Sequence, residues 1–423
     1  MAWSTVGAVS SRALALLASI IIARVLGKTV FGELGILQST TNMYGTFALF
    51  GGLTATKHVA EFRKTAPERA GRIIAMSTAV AVAGGCVVAI LMAATSPWAA
   101  RWVAAPHLQG AIAISALALL LIVINESLEG ILSGFEAFKS RSRVQFLAGI
   151  ANFPIAVLGV LFFGLIGAVY GLIAYAGLLV LLNYQAIQKE LSSAGVPIRW
   201  REARKEVGVL ASFSLPVLCA GAVYVPSMWI ANMILVNTSS GYAEMGVFNA
   251  ADRWRTAILF LPSLLGSVTL PMLASLRGEA ATQKYHNLLW TNIKLSVLVS
   301  FAVAGPVALF APWIMASYGP GFAVGTWVLI TLCTTSVAYA AYWIVGQSLV
   351  SQGHVWTMFS FNLGWAVTLL TSEWLLRTHG AKGLAGAYLL ADLARLTAAL
   401  VYANRMRSID DYALSAVRGG VSR

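Results

Sequence analysis

A chain of 423 residues that is 58% hydrophobic and only 11% charged, with a mean hydropathy of +0.77, excludes a soluble globular enzyme and reads as an integral membrane protein. At about 20 apolar residues per bilayer crossing, that length holds about twelve helices and leaves no room for a soluble catalytic domain. A formal net charge of +13 suggests nucleic acid in a soluble chain, but here it reports loop charge facing an anionic leaflet, so no nucleic-acid partner is expected.

Hydropathy predicts spans at 4–26, 31–56, 73–95, 110–133, 144–163 and 165–188, then at 208–236, 246–276, 287–310, 323–348, 356–376 and 383–404. The longest polar stretch, 189–207, reads as a cytoplasmic linker between an N-terminal six-helix lobe (1–188) and a C-terminal one (208–404), with a cytoplasmic tail at 405–423. Nineteen Lys and Arg fall in one set of alternate loops and the tail, whereas the other set holds only Lys28, Arg101, Arg377 and Lys382. The positive-inside rule therefore places both termini in the cytoplasm. No Lys or Arg precedes the first apolar segment and no clear cleavage site closes it, so the first helix is expected to stay as a signal anchor. Cys86, Cys219 and Cys333 stand singly in apolar stretches, with no metal or disulfide spacing. No cofactor is expected.

The remaining six basic residues, Arg12, Arg24, Arg253, Arg255, Lys294 and Arg395, lie inside the predicted spans. Each costs roughly 2.5–3.5 kcal/mol near a helix centre, so they should line an interior where something anionic meets them. In the first span Thr5, Arg12 and Ser19 recur every seven residues, on one face. Arg24 is rotated about 120° from Arg12 and sits near the external end, where snorkelling competes with a cavity role. In the second span Gln38, Thr41, Asn42 and Gly45 share a face at i, i+3, i+4, i+7. An offset of 211 carries them to Asn249, Asp252, Arg253 and Thr256 in the eighth. Polar glue between helices is the competing reading of the amides and hydroxyls. Lys294 shares a face with Asn287 and Thr291 in the ninth, and Arg255 lies off the stripe.

Acids offer internal neutralisation. Asp392 and Arg395 are spaced i, i+3, Asp252 can partner Arg253 or Arg255, and Glu126 and Glu129 form an acidic face with Ser133. Granting all these pairs, the first, eighth and ninth spans still carry five cations against Asp252 alone. Asp252, Glu126 and Asp392 are candidates for ion coupling, each with an adequate structural alternative.

An internal repeat appears in the same order and orientation in both halves. Phe31-Gly32-Glu33-Leu34-Gly35-Ile36-Leu37-Gln38 matches Tyr242-Ala243-Glu244-Met245-Gly246-Val247-Phe248-Asn249 in character, and Gly164-Leu165-Ile166-Gly167-Ala168 matches Gly383-Leu384-Ala385-Gly386-Ala387 at an offset of 219. Two parallel lobes related by an axis along the membrane normal follow. Pro216, Pro226, Pro262 and Pro271 interrupt the seventh and eighth spans, where bends would let the second lobe open. Gly130 with Gly134 and Gly167 with Gly171 are close-approach faces whose default role is packing.

The strings Ala23-Arg24-Val25-Leu26-Gly27, Phe31-Gly32-Glu33-Leu34-Gly35, Phe213-Ser214-Leu215-Pro216 and Gly246-Val247-Phe248-Asn249-Ala250-Ala251-Asp252-Arg253 resemble the polysaccharide flippases of the multidrug, oligosaccharidyl-lipid and polysaccharide exporter superfamily. The resemblance covers essentially the whole chain. It implies an all-α, V-shaped bundle of two six-helix lobes in the bacterial inner membrane, alternately open to cytoplasm and exterior. It also implies a substrate of undecaprenyl pyrophosphate carrying an oligosaccharide repeat unit, whose lipid tail stays among the membrane lipids. Arg24 and Arg253 or Arg255 match that family's cavity cations, while Arg12 and Lys294 rest on spacing and depth. Where many relatives carry an acid in the seventh helix this chain has Trp229-Ile230-Ala231-Asn232. Proton, sodium and substrate-driven cycles all stay open, and association with polysaccharide assembly proteins is compatible with the reading.

A major-facilitator transporter would also have twelve helices, but the loop from Lys57 to Arg72 lacks that family's glycine and arginine signature. A multidrug antiporter of the same superfamily is expected to use cavity carboxylates. A membrane polymerase or ligase needs a substantial external loop with catalytic groups, whereas these loops are short and His107 and His379 stand isolated. No GxxxxGK[ST] motif occurs, so ATP hydrolysis is not expected. Transport without chemistry is the reading.

Overall fold

The computed structural model describes residues 2–48, 52–263, 266, 282–352 and 354–420, and is helical with no strand among them. In chain order the helices are α1 (Ala2–Thr46), α2 (Gly52–Phe62), α3 (Pro67–Trp102), α4 (Gln109–Gly134), α5 (Phe138–Ala194), α6 (Val207–Val236), α7 (Gly241–Ile258), α8 (Thr282–Leu309), α9 (Ala311–Ser317), α10 (Thr326–Gln352), α11 (Val355–Leu376) and α12 (Ala381–Gly420). Seven described helical stretches are long and apolar enough to cross a membrane.

Two of those stretches are single helices only in name. α1 is broken at Gly27 (φ 71°, ψ 169°) and α5 at Gly164 (φ 58°, ψ −135°), backbone conformations that only glycine adopts without strain. At Gly164 the chain turns back on itself. Gly159 and Gly167 then face each other so closely that a Cβ on either would overlap the other's carbonyl, and Gly171 lies beside Ile155 and Ala156. The predicted spans 144–163 and 165–188 are the two arms of this hairpin.

The α11–α12 hairpin repeats the device. Gly380 takes φ 59° and ψ −136°, and Gly383 abuts the Leu376 carbonyl as Gly167 abuts that of Gly159. The backbone therefore equates Gly164 with Gly380, an offset of 216 (380 − 164), and corrects the sequence register of 219. Matching by side-chain character selected Gly383, but chain reversal at positive φ is what demands a residue without Cβ.

Several boundaries differ from the hydropathy reading. The second span ends at Thr46, and α2 follows as a separate helix. α2 packs on α4 through backbone contact of Gly52 with Gly130 and close approach of Gly134 to the Val59 side chain and the Ala55 carbonyl, so the Gly130/Gly134 pair serves packing. The linker shortens because α5 runs to Ala194 and ends at Gly195 in the left-handed conformation. The predicted tail continues α12 to Gly420. Beyond residue 263 the eighth span, including Pro271, lies outside the described residues apart from Gly266, whereas α6 is continuous through Pro216 and Pro226.

The described chain divides into two compact units, Met1–Asn249 and Ala250–Arg423. In the first, a core of Ala55, Val59, Ile73, Ile74, Ile131, Leu132 and Ile187 joins α2, α3, α4 and the end of α5. The segment after α5 is strapped to α3. Arg199 pairs with Glu68 (2.7 Å), Arg72 with Glu206 (3.2 Å) and Glu202 (3.8 Å), and Arg69 with Glu206 (3.4 Å). In the second unit Tyr285, Leu289, Ile293, Tyr342, Ile344 and Val345 join α8 and α10.

The two copies of the repeated glycine motif pack on each other inside the first unit. Gly32 lies against the Tyr242 carbonyl and Gly246 amide, Gly246 against the Lys28 carbonyl, and Gly35 against the Asn249 side chain. Trp229 Nε1 donates to Thr40 Oγ1 and Asn232 Nδ2 to Ser39 Oγ, each at 3.0 Å, fixing α6 to α1. At the ends predicted to be external, Asn237 donates to the Trp102 carbonyl (2.9 Å), Tyr242 to that of Val103 (2.5 Å), and His107 meets Glu33 (2.9 Å).

Candidate functional site: charged clusters within the helices

In the second unit the alternation of Asp and Arg on α7 and α12 builds a charge network. Arg255 Nε donates to Asp252 Oδ1 (2.6 Å), one turn earlier on α7, and its guanidinium lies 5.4 Å from the centre of the Tyr388 ring. Four residues on from Tyr388, Asp392 accepts from Arg395 Nη2 (2.6 Å) and from Trp365 Nε1 of α11 (2.8 Å). Arg255 also acts electrostatically on Asp392, which links the two pairs. Asp392 and Arg395 are buried. Burial of such a pair is tolerated only when the remaining groups are satisfied. Here Arg395 lies 4.0 Å from the Tyr342 ring, 5.0 Å from Trp365 and 5.3 Å from Tyr339, and donates to Asn362 (3.5 Å). Arg253, half-buried, interacts with Asp252 and Tyr318, and Trp254 donates to the Tyr318 hydroxyl (3.1 Å). Three arginines against two aspartates leave one net positive charge.

In the first unit the cluster is centred on Glu129 of α4. It accepts from Arg141 Nη2 (3.0 Å), Gln145 Nε2 (3.1 Å) and Asn125 Nδ2 (3.2 Å), and Asn183 of α5 donates to Asn125 Oδ1 (2.7 Å). Arg12 of α1 and Glu129 both act on Tyr175, and Glu126 interacts with Glu129 and Arg141. Arg12 and Arg141 against Glu126 and Glu129 make this cluster neutral.

The predicted site residues separate by accessibility. Arg12, Arg24, Lys294, Asn42 and Glu126 are exposed; Gln38, Asp252 and Arg253 are half-buried; Thr41, Asn249, Arg255, Asp392 and Arg395 are buried. Thr41 donates to the Leu37 carbonyl of its own helix (2.9 Å), and Asn249 donates to the Phe31 carbonyl across the glycine seam (3.3 Å). Arg255 and Arg395 are held by carboxylates. The cations that present surface are Arg12, Arg24, Lys294 and, in part, Arg253. Residues that spacing did not reveal are Trp365, Asn362, Tyr339 and Tyr342 around Arg395, Tyr388 beside Arg255, and Asn183 beside Asn125. Each meets its partner across helices that are distant in sequence.

The chain matches the family described as "Polysaccharide biosynthesis protein" over residues 1–277, well over half its length. It is 25% identical over 388 residues to the "EPS I polysaccharide export inner membrane protein EpsE" of Ralstonia nicotianae, covering 87% of this chain and 84% of that one. Its fold is similar to a structure described as the inward-facing conformation of a multidrug resistance MATE family transporter of the MOP superfamily. That match has a TM-score of 0.81 at 17% identity, over 95% of this chain and 96% of the other. It is also similar to "Lipid II flippase MurJ, inward closed conformation", with a TM-score of 0.73 at 11% identity over 96% and 88% of the two chains. With the family matched from the first residue through α7, the chain belongs to the polysaccharide biosynthesis family, and its fold is similar to that of the transporter structures over nearly its whole length.

Proposed function

We propose that this protein is a flippase of the bacterial inner membrane that moves a lipid-linked saccharide from the cytoplasmic to the periplasmic leaflet, with no bond made or broken. The observation that carries the proposal is the set of accessible cations, Arg12, Arg24, Lys294 and half-buried Arg253, on apolar helices of a polysaccharide family member. A pyrophosphate head carries several negative charges, and arginine offers it bidentate donors whose charge is permanent. An undecaprenyl pyrophosphate repeat unit fits this arrangement. Cations on the helices of each unit suit such a head, and the polyprenyl tail stays in lipid. EpsE, by its name, serves polysaccharide export, and MurJ is a lipid II flippase.

Counting α1 and α5 as two crossings each, and α3, α4, α6, α7, α8, α10, α11 and α12 as one each, gives twelve in two sets of six, with both termini cytoplasmic. Alternating access by the two sets is the cycle this reading requires. Against a drug antiporter stands the state of the acids, since Asp252, Asp392 and Glu129 each sit on an arginine, leaving them poor partners for a cationic drug. The test is complementation of a strain lacking its flippase, with labelled lipid-linked glycan followed to the outer leaflet. Restored arrival is expected. Labelled glycan that reaches the outer leaflet without this protein, and then fails to elongate, would instead indicate a polymerase.

A further inference from the structure

Glu373 belongs to neither cluster. It lies on α11 one turn before the end of the helix, is 0% exposed, and neither carboxylate oxygen has a hydrogen-bond partner among the described residues. A carboxylate in that setting is far costlier when ionised than when neutral. Packing does not require an acid there. With Gly164 equated to Gly380, the position corresponding to Glu373 in the first hairpin is Val157, also buried.

Among the described residues the surroundings supply no standing counter-charge. The elements packed on α11 are α10, α12 and the turn 377–379. α10 contains no Asp, Glu, Lys or Arg, its titratable groups being Cys333, Tyr339 and Tyr342. α12 brings exposed Lys382 in its first turn and the Asp392–Arg395 pair, which are bonded to each other and tied to Trp365, eight residues or about 12 Å along α11 from Glu373. In the turn, His379 is exposed beside Thr378, and Arg377 lies with its guanidinium 3.9 Å from the Trp374 ring centre. Glu373 and Arg377 are nevertheless spaced i, i+4 with the acid first, the favourable order for a helical ion pair.

We propose that Glu373 is a proton-binding site, neutral while buried as described, which on releasing its proton to water ionises and pairs with Arg377 as that side chain leaves the Trp374 ring. Use of this proton to drive transport rests on the flippase reading; the site itself does not.

The test is infrared spectroscopy of the purified full-length protein in lipid nanodiscs, following the carbonyl stretch of a protonated carboxylic acid with rising pH and its shift in heavy water. A band present at neutral pH, lost at higher pH and absent from Glu373→Gln is expected. Arg377→Gln removes the cation that favours the ionised form, so it should hold the band to higher pH by about one unit, a tenfold change in proton affinity. A spectrum that Glu373→Gln leaves unchanged overturns the proposal. If that variant does not fold, a titration that Arg377→Gln does not move overturns the pairing. Glycan flipping measured in matched vesicles separates the two readings. No flipping with the band intact sinks only the flippase, and flipping without the band sinks only the proton site.

Discussion

Arg395 and Lys294 look alike in sequence, each a lone cation in an apolar span, yet the structure gives them opposite settings. Arg395 is enclosed by Asp392, Asn362 and three aromatic rings, so Arg395→Leu strands a buried aspartate and should cost about 3–5 kcal/mol. The loss should appear as a lowered melting temperature, largely regained when Asp392→Leu is added. Lys294 is exposed on α8, and Lys294→Ala should leave melting unchanged. Its loss and that of Arg253 should show in glycan export. Each removes one charge-assisted contact worth about 1.5–3 kcal/mol, a fall on the order of tenfold or more. Export at the wild-type rate with normal protein levels for both alanine variants would remove them from the substrate path. The Asp392–Arg395 pair was legible because i, i+3 spacing is local. The rings that enclose it were not, since Tyr339, Tyr342 and Trp365 arrive from α10 and α11. Glu373 was visible as the lone acid of its span, but with no acid–base pair within the predicted helix it gave no pattern to read.

At the scale of the element, glycine sets the turns. Gly164 and Gly380 hold nearly the same unusual dihedrals, so alanine at either should cost about 1–3 kcal/mol in backbone strain, measured as lowered thermal stability. Equal losses at the two sites would confirm the corrected register, whereas a loss at Gly383 alone would favour the sequence register. Hydropathy saw two spans on either side of Gly164 because the turn interrupts no polar count; it misplaced the end of the second span because Thr46 to Gly52 is as apolar as its flanks. The strap between α3 and the segment after α5 is governed by charge. Hydrogen bonding and charge from Lys205, with further charge from Arg199 and Arg72, hold the Glu202 carboxyl below its ordinary range. A depressed carboxyl stabilises the folded form above its unfolded value and loses that contribution as pH falls through the folded one. Limited proteolysis of the 195–206 segment should therefore accelerate below the ordinary carboxylate range, and Glu202→Gln should flatten that response.

For the whole molecule, the count of crossings depends on whether the glycine breaks are turns at the membrane surface. Long helices alone number seven among the described residues, an odd count that would put the termini on opposite sides. Splitting α1 at Gly27 and α5 at Gly164 raises the number to nine, and the count becomes even with α6, α7 and α11 crossing as well. The nineteen-to-four division of loop charge independently demands an even number, because charge in short loops fixes orientation. These observations share one consequence. A membrane-impermeant lysine reagent applied to spheroplasts should modify Lys28, beside Gly27, and Lys382, beside Gly380, both exposed. Lys139 and Lys189 should react only after the membrane is opened. If Lys28 is protected together with Lys139, the first helix does not turn at Gly27. The two glycine-motif helices would then not occupy equivalent places in a parallel repeat.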